Sequence, residues 1–353
     1  MLATKGTTMT APLRTALVGF GHAGQVFHAP LLADDPAYSL DVIVTADPGR
    51  TAIANARYPG ARVVPSATDL RGLAGELDLV VVATPPSTHL EVAHAALDDG
   101  LAVVVDKPLC ASAADAEALV ARAERLGVPL TVFHNRRWDA EFLTLRGLLA
   151  DGALGEVFRF ESRIDRWKTA ETKPWKAAAT TAEAGGVLYD LGTHLIDQAI
   201  TLFGPVVDVH AEIDVRRPHA GTDDDVFVAL THANGVRSHI SAGNVAAQAG
   251  PRMRVLGSRA AFVKQVGDGQ EAALTAGAVP SDTGYGVEPA STWGTLGVGE
   301  DAEPVPTERG SYDAFYAELA RALREDGPLP VDPRDAVAVI ALIEGIHRTA
   351  GRA

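Results

Sequence analysis

Apolar and polar positions fall into two different patterns along the chain. In the first third, short apolar runs at residues 15–18, 40–45, 79–83, 102–105 and 130–133, with a weaker one at 62–64, each end in a polar or glycine-rich joint. Segments with apolar residues at helical spacing follow at 26–32, 49–57, 90–98 and 113–125. Asp47 and Pro48 suit the N-cap and first position of the second of these helices. Unbroken runs such as 79–83 are typical of strands buried on both faces, so the pattern predicts six parallel strands with crossover helices, a doubly wound sheet.

After His134 the pattern changes. A helix is expected to about residue 149. Strict alternation then sets in at 157–166, with Phe158 and Phe160 on one face and Arg159, Glu161 and Arg163 on the other. Further strands are expected at 206–215, 225–232, 236–241, 253–256 and 261–266, and amphipathic helices at 311–325 and 333–349. Residues 284–308, rich in Gly, Pro and acids, read as a loop. The second half is thus an α+β unit with a mainly antiparallel sheet, one face covered and one open, and the open face suggests a homodimer or homotetramer. The expected division is a tail at 1–12, a first domain at 13–134 and a second at 135–353.

Composition narrows the class. The 353 residues are 47% apolar, enough for a large core in two domains, and no apolar run reaches a membrane span. A net charge of −14 disfavours nucleic acid and anionic membranes as partners. The single cysteine, Cys110, excludes an intrachain disulfide and fits a reducing, cytoplasmic setting.

Ligands of a doubly wound sheet bind beyond the carboxyl ends of its strands. The first such end reads Gly19-Phe20-Gly21-His22-Ala23-Gly24. Gly19 permits the turn, Gly21 lets a pyrophosphate approach the backbone, and Gly24 lets helix and strand pack closely. This predicts dinucleotide binding. The second strand ends in neutral Thr45, with Asp47 better placed as a helix cap than as a ribose ligand and Arg50 near enough to face a phosphate. That favours NADP, while NAD remains open through Asp47. Thr84, Pro85, His89, Asp106 and Lys107 stand at the ends of the fourth and fifth strands.

In the second half, Asp190 and His194 stand four residues apart on a predicted helix, which makes the histidine a candidate proton carrier. Asp197 follows about a turn later. These three could instead ligate a metal, but one His with two acids is a poor zinc set, and no metal is expected. Lys107, at the mouth of the crevice, could stabilise charge on a reacting oxygen.

The glycine loop, Thr84-Pro85-Pro86-Ser87-Thr88-His89, Asp106-Lys107-Pro108 and the Asp190/His194 spacing together resemble the Gfo/Idh/MocA oxidoreductases. Asp106 stands where most members have Glu. More narrowly, Phe27-His28-Ala29-Pro30, the 134–139 and 142–144 blocks and the 189–198 block resemble the branch holding NADP-dependent scyllo-inositol dehydrogenases. The resemblance implies hydride transfer between nicotinamide and a carbinol or carbonyl carbon of a sugar or cyclic polyol. It implies Lys107, Asp190 and His194 as the catalytic group, with His194 taking the hydroxyl proton, Lys107 holding the oxygen and Asp190 orienting substrate or histidine. Arg136 matches a substrate-side position, with Asn135 beside it; Trp167 and Trp175 are further substrate candidates, as are Arg163 and Asp165. The 166–181 segment departs from the branch, with Lys173-Pro174-Trp175-Lys176 and an alanine-rich run. A non-catalytic dinucleotide sensor and a same-fold reductase of a non-sugar carbonyl or imine are the competing expectations.

Overall fold

A computed structural model describes residues 11–171, 174–218 and 220–350. The expected tail lies almost wholly outside the described residues. The first sheet comprises β1 (Leu13–Val18), β2 (Tyr38–Val44), β3 (Arg62–Val64), β4 (Leu79–Val82), β5 (Ala102–Asp106) and β6 (Leu130–Phe133). All its pairings are parallel, and the strand order is β3-β2-β1-β4-β5-β6. The order reverses between β1 and β4, which opens a crevice at their carboxyl ends. Every residue of β4 is buried, as its unbroken apolar run requires.

The second sheet comprises β7 (Val157–Asp165), β8 (Val206–Asp214), β9 (Asp225–His232), β10 (Arg237–Gly243), β11 (Met253–Gly257), β12 (Ala261–Lys264), β13 (Gly294–Gly297) and β14 (Glu303–Val305). Its order is β14-β13-β12-β11-β7-β10-β9-β8. Only the β7–β10 pairing is parallel: between them the chain runs through the helix Thr193–Phe203 and returns through the β8–β9–β10 meander. Burial alternates residue by residue along β9, the signature of one covered and one open face. The covered face packs Phe160, Val228, Ile240 and Val255 against Leu188, Leu195 and Ala199 of the helical segment.

Two expectations need correction, and one helix was not anticipated. Residues 284–308 are not all loop, because β13 and β14 lie there. Their Gly and Pro content hid them, and Pro304 is tolerated because β14 is the sheet edge. Of the pair Phe158 and Phe160 only Phe160 is buried: Phe158 lies at the register shift between Arg159 and Val157, beyond the cover of β10, and is 52% exposed. A short helix, Gln270–Thr275, follows β12; Asp268 marks it by accepting the Gln270 N–H at 2.6 Å.

Two C-terminal helices return to the first sheet. Phe315, Tyr316 and Leu319 of Tyr312–Glu325 pack with Leu17, Leu79 and Phe133. Along Pro333–Thr349, Ala336 and Ile340 join the core of the first sheet, while Val339, Ile343 and Ile346 join that of the second. No helix among the described residues is long and apolar enough to cross a membrane.

Candidate active site

A cleft of about 1360 Å³ runs from the carboxyl ends of β1, β2, β4 and β5 to the helical segment on the second sheet. At one end is the glycine loop. Gly19 has φ +100°, and a Cβ there would lie 2.6 Å from the Ala83 carbonyl oxygen. A Cβ on Gly24 would collide with the Gly19 carbonyl, whereas one on Gly21 would meet only the tip of Arg50, at 3.9 Å. The first and third glycines therefore serve the backbone, and the second leaves room for a phosphate. Thr45, Asp47, Arg50, Thr84 and Pro85 line the same end. Asp47 Oδ1 accepts the Arg50 N–H at 2.8 Å, so its carboxylate caps the helix Pro48–Arg57. These features fit a dinucleotide.

His89 does not line the cleft. It is buried, with Nδ1 3.0 Å from the Pro108 carbonyl and Nε2 2.8 Å from that of Thr84, tying the β4 and β5 loops together from behind. Asp106 does line it, and accepts the Lys107 N–H at 2.8 Å.

At the other end, Lys107 crosses from the first sheet to the second half. Its Nζ donates to the Asp190 carbonyl at 2.7 Å and lies 3.3 Å from Asp190 Oδ1. Lys176 Nζ donates to the other carboxylate oxygen, Oδ2, at 2.7 Å. Burial works to raise the Asp190 pKa, but the two lysines outweigh it and hold the carboxyl below the usual range. Asp190 thus pairs with lysines, not with His194 as the spacing suggested. It sits in a π turn, Leu188–Gly192, ahead of the α-helix, so regular i,i+4 geometry does not apply across it.

His194 lines the cleft while only 6% exposed, and its Nδ1 is buried without a hydrogen-bond partner. Burial, then the charges of Lys107 and Arg136, hold its pKa well below that of free histidine. Asn135 and Arg136 share this wall. Arg136 reaches Asp139 Oδ2 at 3.2 Å and Glu271 Oε2 at 3.4 Å. Glu271, from the short helix that the pattern did not reveal, also lies 3.7 Å from His22 across the cleft mouth.

Trp167 is off the cleft wall, 64% exposed and bridged through its backbone to Val245. The Trp175 side chain lies outside the described residues. Arg163 pairs with Glu161, and Asp165 accepts the Gly250 N–H, both away from the cleft lining. Lys176 and Arg166, which sequence reasoning left unassigned, do line it.

Asp197 is no partner of Asp190 or His194. Both its oxygens are taken by Arg137, at 2.6 and 2.8 Å, in a nearly dry setting. Among the described residues, the only acid group tight enough to hold a cation is Glu141, Asp268 and Glu288, off the cleft and met by Arg252 and Lys264. Asp197→Ala removes the buried partner of Arg137 and leaves it only the more exposed Asp335, at 2.9 Å, so it should cost about 1.5–3 kcal/mol in urea unfolding; a loss under about 1 kcal/mol would refute a structural pair.

Residues 13–134 match the family model described as "Oxidoreductase family, NAD-binding Rossmann fold", and residues 146–351 match "Oxidoreductase family, C-terminal alpha/beta domain". The chain is 39% identical to "Uncharacterized oxidoreductase YdgJ" of Escherichia coli K12, covering 98% of this chain and 99% of that one. It is 33% identical to "scyllo-inositol 2-dehydrogenase (NADP(+)) IolW" of Bacillus subtilis 168, covering 96% and 94%. A solved structure of the Bacillus subtilis oxidoreductase yvaA superposes with a TM-score of 0.89 at 33% identity, covering 96% of each chain.

Proposed function

From the premise that this chain belongs to the Gfo/Idh/MocA oxidoreductase family, we propose that it moves a hydride between NADP and a carbinol or carbonyl carbon of a cyclic polyol or sugar. The observation that carries the reading is that Lys107, Asp190 and His194 line the same cleft as the glycine loop, with Lys107 bonded to Asp190. The similarity to a relative named for scyllo-inositol and NADP supports it.

Bound nicotinamide supplies or accepts the hydride; the side chains handle oxygen and proton. In the oxidation direction, neutral His194 takes the hydroxyl proton. Lys107 spends two of its three donors on Asp190, leaving one N–H for the substrate oxygen. That donor stabilises alkoxide character as the hydride departs. Asp190 fixes the ammonium and stays ionised while doing so. Arg136, clamped by Asp139 and Glu271, and Asn135 form the substrate wall.

The NADP preference rests on Asp47 being occupied as a cap, with Arg50 beside Gly21. Arg50→Ala should raise the NADPH dissociation constant about 10–100-fold, the range of one charge-assisted contact, and leave NADH binding nearly unchanged. Fluorescence titration reads both; equal effects on the two cofactors would reject the phosphate role. Initial rates with scyllo- and myo-inositol, glucose and xylose test the substrate class. Tight cofactor binding without turnover on any of them would reject it. The reading includes cytoplasmic residence and a homo-oligomer joined through the open face of the second sheet, where Phe227 and His239 stack edge-on across β9 and β10; light scattering reads the assembly.

A further inference from the structure

Resting on the sugar or polyol reading, we propose that the substrate carries a carboxylate away from the reacting carbon, and that Arg166 binds it. Arg166 follows β7 and lines the cleft. Its backbone is pinned on both sides: its N–H donates to the Gly243 carbonyl at 2.8 Å, and its carbonyl accepts the Ala246 N–H at 3.0 Å. The guanidinium makes no hydrogen bond or ion pair among the described residues. Each acid near it is engaged by another cation. Asp190 holds Lys107 and Lys176, Glu271 holds Arg136, and Glu171 holds Lys168 at 2.8 Å. The Arg166 charge nevertheless acts on Asp190, His194 and Glu271, the groups of the reacting end.

Arg166 is partly exposed and makes no direct ion pair among the described residues, so its donors are open to a ligand in the cleft. Neutral hydroxyls match the donors alone, whereas a carboxylate matches the fork of donors and the charge together. The glycine loop offers the dinucleotide phosphates its own backbone donors, which leaves Arg166 to the substrate. The ligand class is therefore an acidic sugar or polyol of the uronate or aldonate kind.

The test compares kcat/KM for matched pairs, D-glucuronate against D-glucose and D-galacturonate against D-galactose, with the 6-phosphates as a third arm. The wild type should favour the acid of a pair about 10–100-fold, mainly through KM, and Arg166→Gln should abolish that preference, with Arg166→Lys restoring part of it. A preference for the neutral sugar or the phosphate, or an equal loss on acid and neutral members in Arg166→Gln, overturns the proposal and leaves the polyol reading standing. If nothing is turned over, the polyol reading falls instead. Calorimetric titration of D-glucuronate into the NADP-loaded protein then decides: binding lost in Arg166→Gln supports the carboxylate site, and binding absent or unchanged overturns it.

Discussion

His194→Asn is expected to lower kcat for polyol oxidation by about 10²–10⁴-fold, the usual contribution of a positioned general base. Asparagine keeps a polar side chain of similar reach but cannot take a proton at neutral pH. The pH profile gives the sharper test. Because burial and the charges of Lys107 and Arg136 hold the imidazole well below its ordinary value, it stays neutral where free histidine would be protonated. The wild-type kcat/KM for oxidation should therefore run flat through the ordinary histidine range and fall only at more acid pH. Reduction, which needs the imidazolium as acid, should gain as pH falls. A profile that breaks at the ordinary histidine value, or a His194→Asn enzyme of near-normal kcat, would remove His194 from proton transfer.

Lys107→Met should cost about 10²–10³-fold in kcat, the scale of one lost oxyanion donor. The substitution also releases Asp190, whose Oδ1 and carbonyl lose their bonds to the ammonium. Lys176 remains on Oδ2, so the carboxylate keeps one cation and the local fold should hold. Cofactor affinity separates the two roles Lys107 could have. A pure loss of kcat, with NADPH binding intact, supports the oxygen contact; a parallel loss of cofactor affinity would make the residue part of the dinucleotide site instead.

The first sheet was legible almost strand for strand, because buried parallel strands are written as unbroken apolar runs and their ends as polar joints. The glycine loop was legible for a related reason: Gly19 and Gly24 sit where any Cβ would strike backbone. Legibility failed where structure depends on context rather than composition. β13 and β14 are poor strands by propensity and exist because β12 offers them an edge. The Asp190–His194 pair looked sound on α-helical spacing, but a π turn and two lysines from distant segments redirect the carboxylate. Asp197 looked like site chemistry and is the anchor of a buried ion pair. Lys176 and Arg166 carry no motif; only their convergence on the cleft marks them.

The helix Pro333–Thr349 feeds apolar side chains into the cores of both sheets. That arrangement ties the melting of one half to the other. Loss of either core would strip support from a helix that the other core also packs on, so the two halves are expected to melt in one transition, which calorimetry reads. The same brace sets the angle between the halves through packed side chains rather than through a linker.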